Sequence, residues 1–350
     1  MRMRAARRAL PVVRVARALG LALALALALP LLACRKPPRV IVHARFDLPR
    51  THETQSLSGT AFDPTTRTLY ALPDKTPMIV PLVANPEFTS FTVGTPLPLT
   101  GRTETAWDGE GLVRTADGGF IAVTVESEAL LERFDASGKR TDTIALPAHF
   151  ATQSHGNKGI EGLALSPSKR FLFTANESAL TADGPPSTKT RGTVVRILKR
   201  DLAANVDVEL AYRTEPLGRG GPTGDMGVSD LAAVDDDVML VLERGFQPDY
   251  GNTVRIFEVD LRTGTHVESV PALSDATPVL TKTLLVDIGT LPPGSATHPG
   301  PEPNPILDNY EALALGPTLG DGRRLVFLTS DDNASATQLP RVLVLAVLGL

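Results

Sequence analysis

The chain has 350 residues, which is enough for one large domain or two ordinary ones. Its net charge of −4 and its pI near 5.9 argue against a nucleic-acid partner, because such a partner calls for a clearly basic face. Twenty-nine glycines and 29 prolines are typical of many turns and short strands rather than of long helices.

The N-terminus has the features of an export signal. Four arginines within the first eight residues precede the apolar run LGLALALALAL over 19–29. The only cysteine, Cys34, follows in the string LLAC, which resembles a bacterial lipobox; an ordinary signal peptide with an incidental cysteine is the alternative. We therefore expect a lipoprotein signal peptide over 1–33, a lipid anchor and tether over 34–39, and one folded domain over 40–350. The expected location is the outer membrane or periplasm of a two-membrane bacterium, with lipidated Cys34 as the membrane contact.

Ten strands are predicted around five copies of a hairpin. In chain order their sequences are VIVHARFDL, MIVPLV, FTSFTV, ALLERFD, DTIALP, TVVRILKRDL, VDVELAY, TVRIFEVDL, TKTLLVDI and RVLVLAVL. The five hairpin copies are SGTAFDPTTRTLYALPDK from Ser58, EGLVRTADGGFIAVTVES from Glu110, EGLALSPSKRFLFTANES from Glu161, SDLAAVDDDVMLVLERG from Ser229 and EALALGPTLGDGRRLVFLTSDDN from Glu311.

The repeat predicts an all-β fold, a β-propeller of four-stranded blades. The copies start at 58, 110, 161, 229 and 311, so their separations are 52, 51, 68 and 82 residues; propeller blades have this kind of period. With one strand before and one strand after each hairpin, five blades are favoured and six are the alternative; a β-sandwich is the competing architecture. We expect the first strand to lie innermost in its own blade and the last to form an outer edge, with the ring closed by packing between blades.

The ends of the hairpins carry acidic residues. Because the two strands of a hairpin are antiparallel, the start of one and the end of the other meet at one edge, which pairs Glu161 with Glu177 and Glu110 with Glu126. In the fourth copy Glu243 is expected to face Ser229. Converging carboxylates need protons, bases or a cation, and oxygen ligands suit calcium or magnesium. The alternative is pairing with bases such as Arg244, Lys158 or Arg102.

Three strings, taken in order, resemble the phytase-like family, which is also described by esterase-like activity: NKGIEGLALSPSKRFLFTANESAL, VSDLAAVDDDVMLVLERGF and DNYEALALGPTLGDGRRLVFLTSDDN. The resemblance covers nearly all of the chain after Cys34. It implies an exported propeller that acts on ester or phosphoester bonds. The motif positions that it carries over are Glu161, Glu177, Glu243, Arg244, Asn309, Glu311, Asp331, Asp332 and Asn333.

These arguments together give a candidate site for a calcium-assisted hydrolase of a small ester or phosphoester. The proposed catalytic residues are Glu161, as proton acceptor, and Arg244, as anion binder. The proposed cation ligands are Glu177, Glu243, Glu311, Asp331 and Asp332. The further motif positions are Glu110, Glu126, Asn309 and Asn333. A non-catalytic binding propeller is the competing interpretation, because a fold does not dictate chemistry.

Overall fold

The computed structural model describes residues Arg39–Leu350. The predicted signal peptide, Cys34 and the tether up to residue 38 lie outside the described residues. Within the described range no helix is long and apolar enough to cross a membrane. The α-helix α1, His149–Thr152, is a single turn.

The regular secondary structure of the described chain consists almost entirely of strands. Their bounds, in chain order, are β1 Val40–Asp47, β2 Leu57–Asp63, β3 Thr68–Pro73, β4 Met78–Ala84, β5 Phe91–Val93, β6 Leu97–Pro98, β7 Leu112–Arg114, β8 Phe120–Val125, β9 Leu130–Phe134, β10 Arg140–Ile144, β11 Ile160–Leu165, β12 Phe171–Asn176, β13 Val194–Asp201, β14 Val206–Arg213, β15 Asp225–Ala233, β16 Val238–Gln247, β17 Gly251–Asp260, β18 Thr281–Asp287, β19 Tyr310–Thr318, β20 Arg323–Ser330 and β21 Arg341–Leu348.

These strands form five antiparallel sheets, which are the blades of a five-bladed propeller. Blade 1 has the order β2-β3-β4-β5, with β6 also paired to β4; blades 2, 3 and 4 run β7 to β10, β11 to β14 and β15 to β18; blade 5 is β19-β20-β21-β1. The first hairpin strand of each blade contacts its counterparts on both neighbouring blades, so β2, β7, β11, β15 and β19 surround the central axis. The predicted all-β propeller with five blades is confirmed.

The grouping of strands differs from the prediction by one strand. Each hairpin forms the two inner strands of its blade, and in blades 1 to 4 the two outer strands both follow it. The strand that precedes a hairpin completes the previous blade: Val206–Arg213, for example, pairs with Val194–Asp201 in blade 3 and not with the hairpin of blade 4. A repeat of four strands has the same period whichever strand is counted first. The period alone therefore does not show which strand begins a blade.

The prediction for ring closure was wrong. Strand β1 pairs antiparallel with β21 in blade 5, from Val40 opposite Val347 to Asp47 opposite Arg341, with a bulge between Val42 and Ala44. The N-terminal strand is therefore the outermost strand of the last blade. The physical reason is that β21 would otherwise present a row of unpaired backbone groups at a sheet edge, and β1 pairs with them.

The core consists of apolar clusters between the blades, one for each of the five junctions. Strand β20 shows how a single strand contributes to two of them: Phe327 packs toward blade 1, whereas Leu328 packs toward blade 4. Because successive side chains point to opposite faces, a strand buried on both faces reads as a continuous apolar run. This explains the continuous apolar sequence LVFL in β20.

The inner strands approach one another very closely around the axis. A Cβ atom on Gly111 would lie 2.6 Å from Leu163, and one on Gly162 would lie 2.7 Å from the Cα of Asp230. Asp230 stands in blade 4 where three other blades have glycine, and it is buried. Its carboxylate accepts hydrogen bonds from the amides of Leu163 (3.2 Å), Leu231 (2.8 Å) and Leu313 (2.6 Å). Asp230 thus joins the inner strands of blades 3, 4 and 5 across the channel.

Candidate functional site

The hairpins place one side chain from each blade at equivalent positions at the end of the second strand. The pairs Leu163↔Thr174 in blade 3, Leu231↔Val241 in blade 4 and Leu313↔Leu328 in blade 5 occupy the same place in their hairpins. Three residues after the second member of each pair come Glu177, Arg244 and Asp331, respectively. Counting in the same way gives Asp74 in blade 1. In blade 2 the second strand has a bulge, which adds one residue to the count, and the equivalent residue is Glu126. The ring therefore has acids on four blades and an arginine on blade 4.

A second set of side chains lies at the start of the innermost strands. It contains Glu110, Glu161 and Glu311 on blades 2, 3 and 5, with Ser58 and Ser229 on the other two blades. The pairing register shifts at this point in blades 1, 3, 4 and 5, which shows a bulge in each. A bulge inserts an unpaired residue and redirects its side chain, and bulges are frequent beside functional sites.

Together the two sets form what we call the acidic mouth of the channel. Its seven buried carboxylates are Asp74, Glu110, Glu126, Glu161, Glu177, Glu311 and Asp331. Half-buried Asp108 lies beside them. Two overlapping triads, Asp108–Glu110–Glu126 and Glu126–Glu161–Glu177, each have carboxylate oxygens within 4.8 Å of one another. Four blades thus bring together carboxylates that are up to 257 positions apart in the chain (331 − 74).

Crowding and burial shift the acidity of this mouth. Burial and, next, the neighbouring carboxylates raise the pKa of Glu110 and Glu161 well above the usual range. Burial raises the pKa of Glu126 to about 7, although the backbone amide of Gly159, 2.5 Å away, favours the charged form. The pKa of Asp331 rises to about 8 through burial and the charge of Glu311. The mouth consequently holds protons at neutral pH unless a cation replaces them.

Basic side chains neutralise only part of this charge. The Arg244 guanidinium donates to Glu311 at 2.5 Å, and the Asn309 amide donates to the same carboxylate at 3.0 Å. Lys158 lies 3.2 Å from Glu177 and 2.6 Å from Asp225. The pairing with Arg244 and Lys158 that the sequence allowed is therefore present, and Lys158 pairs with the Glu177 member of one triad. Lys75 contacts Asp74 and lies 3.8 Å from Asp108 of the other triad. Within the described part of the chain, Glu110, Glu126 and Glu161 have no basic side chain at ion-pair distance.

Two buried carboxylate oxygens in the acidic mouth have no hydrogen-bond partner among the described residues. They are Oε2 of Glu126, the residue shared by both triads, and Oδ1 of Asp74. A buried carboxylate oxygen without a donor is costly, and a hard divalent cation satisfies it. The donor set contains only oxygen ligands, which are those that calcium and magnesium take. The residues present therefore fit a divalent cation.

A cleft opens beside the acidic mouth, between blades 4 and 5. It has a volume of about 590 Å³, and its lining includes Arg244, Asn309, Glu311, Asn333 and Phe246. Phe246 is 44% exposed, so it offers an apolar surface at the cleft. The cleft is large enough for a small organic ligand, since ligand pockets range from about 300 to 1,000 Å³.

A family model described as "Phytase-like: Esterase-like activity of phytase" matches residues 52–334. The chain belongs to the phytase-like family. No curated protein matches the sequence. Two of the similar solved structures are a luciferin-regenerating enzyme, 15% identical over 85% of this chain and 92% of that one with a TM-score of 0.40, and a periplasmic gluconolactonase of Pseudomonas aeruginosa, 16% identical over 86% and 88% with a TM-score of 0.36.

In this phytase-like propeller the predicted ligand Glu243 lies outside the acidic mouth. Its carboxylate accepts from the Tyr212 hydroxyl at 2.5 Å and the Glu215 amide at 2.8 Å, and Lys282 lies 2.8 Å away. The position equivalent to Glu177 is the next residue, Arg244. Adjacent residues of a strand point to opposite faces, so an error of one residue moved the predicted ligand into the packing between blades.

Asp332 is likewise separate from the acidic mouth. It accepts from the amides of Ser56 at 3.1 Å and Ala334 at 3.2 Å, and Arg50 lies 3.3 Å from its second oxygen. It is fully buried and orders the loop that follows β20. Its neighbour Asp331 is the one that the phytase-like motif contributes to the mouth.

Sequence reasoning missed three residues near the site. Asp108 completes a triad; its only signal was the string DGEG just before the second hairpin. Phe246 follows the motif LERG by one residue. His298 lies 3.1 Å from Asp308, whose other oxygen accepts from the Asn309 amide at 2.9 Å. Burial alone would lower the pKa of His298, but its hydrogen bond with Asp308 raises it.

Proposed function

We propose that this phytase-like protein is a cation-assisted hydrolase of small anionic esters, either phosphoesters or carboxylic esters. The observation that carries the proposal is the contact between two unlike regions. A crowded group of buried carboxylates with unsatisfied oxygens adjoins a cleft whose lining includes an arginine. The family description supports a hydrolytic activity.

The proposed cation site is the triad Asp108–Glu110–Glu126, with calcium as the candidate. This triad includes the unsatisfied oxygen of Glu126 and leaves Glu161 free. When bound, a divalent cation would supply positive charge that stabilises negative charge on the ester oxygens and raises the acidity of water. Asp331 and Glu311, which the sequence named as ligands, lie on blade 5 and are proposed to shape the charge of the site.

Glu161 is proposed as the proton acceptor. It is buried, and its raised pKa makes it a stronger base than an exposed glutamate once the charge of the neighbouring cation has displaced its proton. It lies between Glu110 on blade 2 and Glu177 on blade 3, which both contribute to its raised pKa. A base in this position would take a proton from water that attacks an ester held at the cleft.

Arg244 is proposed to bind the anionic group of the substrate. Its pairing with Glu311 uses one terminal nitrogen, Nη2, and its Nε has no hydrogen-bond partner in the part of the chain that the structure describes. A planar guanidinium binds carboxylates and phosphates through two parallel hydrogen bonds. Asn309 and Asn333 also line the cleft and are proposed to donate to the substrate.

The test is a substrate panel measured with and without a cation. Purified protein, stripped with EDTA, is assayed on two anionic esters, p-nitrophenyl phosphate and mono-p-nitrophenyl succinate, before and after calcium addition. We expect hydrolysis that requires the cation and is lost in Glu161→Gln and Asp331→Asn, with both variants folded. Glu243→Gln, outside the acidic mouth, is the control. Absence of hydrolysis with every cation tried would favour a binding propeller instead.

We also propose that Cys34 anchors the exported protein to a membrane through lipid. The arginine-rich start, the apolar run and the string LLAC support this. Several acyl chains hold a protein far more firmly than one. Cys34→Ser should move the protein from the membrane to the soluble exported fraction; unchanged membrane fractionation would contradict the anchor.

A further inference from the structure

The opposite end of the central channel holds a second cavity, of about 290 Å³. The hairpin turns surround it, whereas the acidic mouth lies where the hairpin strands start and end. Equivalent positions on the five inner strands line it with small or apolar side chains: Ala61, Val113, Ala164, Ala232 and Ala314. The alanines leave open the space that larger side chains would fill.

The charge of this cavity is opposite to that of the acidic mouth. Its lining includes Arg114, Lys169 and Arg324, and none of the described residues that line it is acidic. Arg114 is engaged, since Asp63 lies 3.5 Å from it and its guanidinium stacks over Tyr70 at 4.7 Å. In a chain with a net charge of −4, such a concentration of cations around an apolar cavity favours an anionic ligand.

Two of these cations lack an acidic partner within residues 39–350. The guanidinium Nε of Arg324 donates to the Gly316 carbonyl at 3.3 Å, and the Lys169 ammonium donates to the Arg114 carbonyl at 3.4 Å. Among the described residues, neither has a carboxylate at ion-pair distance. Partial desolvation of the charged group lowers the pKa of both residues, even though the Lys169 side chain as a whole remains exposed; the charge of Asp63 partly offsets this for Lys169. An incoming carboxylate would supply the missing counter-charge.

Asp230 separates this cavity from the acidic mouth. Leu163, Leu231 and Leu313 line the cavity, while their backbone amides donate to the Asp230 carboxylate. Because this carboxylate joins three inner strands across the axis, a ligand in the cavity would not reach the acidic residues. The cavity is therefore a separate site, and an argument for it does not depend on hydrolysis.

We propose that this cavity binds a small amphipathic carboxylate, with its apolar part between the alanines and its carboxylate at Lys169 and Arg324. The volume is at the lower end of the range for ligand pockets, about 300 to 1,000 Å³, so the ligand would be small. An apolar enclosure with a few charged groups is the usual composition of such a site.

Isothermal titration calorimetry of the purified protein with octanoate tests this proposal, with octanol as the neutral probe of equal chain length. We expect one octanoate per chain and binding of octanol at least about tenfold weaker. Lys169→Met and Arg324→Met should each weaken octanoate binding by about tenfold, the effect expected for losing a hydrogen bond to a charged group. Lys139→Met, which removes an exposed lysine outside the cavity, should bind octanoate like the unmodified protein.

Thermal unfolding of each variant establishes that it is folded. Lys169 is exposed, so its substitution tests the site even if the Arg324 variant fails to fold. The proposal is overturned if octanoate does not bind, if octanol binds equally well, or if the folded Lys169 variant retains full affinity.

Discussion

Arg244 on blade 4 stands at the position that Glu177 holds on blade 3, so neighbouring blades put opposite charges at equivalent places in the ring. This difference divides the channel mouth in two. Blades 2 and 3 carry the two carboxylate triads, and blades 4 and 5 carry the arginine and the cleft. A cation and an anionic substrate group would each find a complementary region, side by side.

Replacing Arg244 tests the anion-binding half. Arg244→Met should lower kcat/KM on anionic esters by about 100-fold, the usual effect of removing a preorganised donor to a developing negative charge. Arg244→Lys should restore little of this, because an ammonium cannot make the two parallel hydrogen bonds of a guanidinium. Steady-state kinetics measures both effects. Arg170→Lys, at a hairpin turn, is the control, and equal losses in the control and the Met variant would contradict the role of Arg244.

Substitutions of Glu126 and Glu243 should have different effects: the first should impair cation binding, and the second should lower structural stability. Glu126→Gln should abolish the rise in melting temperature that calcium gives, because it removes the carboxylate shared by both triads. Glu243→Gln should keep the response to calcium but lower the free energy of unfolding by about 3 kcal/mol, since it breaks a buried pair with Lys282. Thermal and urea unfolding, with and without calcium, give both quantities. If the Glu243 variant lost its response to calcium, Glu243 would have to be assigned to the cation site.

The stability of the cation-free protein should fall as the pH rises. The pKa values of about 7 for Glu126 and about 8 for Asp331 exceed the ordinary carboxyl values near 4, so the folded state binds more protons than the unfolded state between these limits. The contribution of these groups is complete below about pH 4 and is lost as the pH rises through 7 to 8. Melting temperatures in EDTA across pH 5 to 8 should therefore decline, and calcium should reduce the decline. A melting temperature that rises over this range would contradict the predicted protonation.

Asp230 should be the most sensitive position of the channel. Asp230→Asn replaces an oxygen acceptor by an NH₂ donor facing backbone amides, so we expect a loss of about 2 to 3 kcal/mol in the free energy of unfolding. The neighbouring Ser229→Ala is the matched control, because the Ser229 hydroxyl has no hydrogen-bond partner. Urea unfolding compares the two. Similar stabilities of the variants would show that the carboxylate does not join the blades.

The five-bladed fold could be predicted from the sequence because one hairpin recurs five times. The position of each strand within its blade could not, since the outer strand of one blade and the inner strand of the next are adjacent in the chain. Closure by β1 and β21 depends on a pairing between the two ends of the domain, for which the repeat contains no signal.

The acidic mouth was predicted where hairpin ends carried acids at a constant offset, as for Glu161 with Glu177 and Glu110 with Glu126. The prediction failed where the offset changed. Aligning the copies by acid content chose Glu243, whereas the pairing register puts Arg244 at that position. The cleft was beyond sequence reasoning, because Phe246 at the end of β16 meets Gly300 and Gln338 only through the packing of loops from the neighbouring blade.

Strand β1 completes blade 5 by pairing with β21, and Val40 and Val347 are separated by 307 residues in the chain (347 − 40). During synthesis, β1 emerges before the other described strands and has to remain unpaired until β21 has been made. An unpaired apolar strand is prone to association with other chains, and contacts this distant form slowly. The first strand of the domain is thus the last to be secured, so protection of nascent chains by chaperones would matter most at this segment.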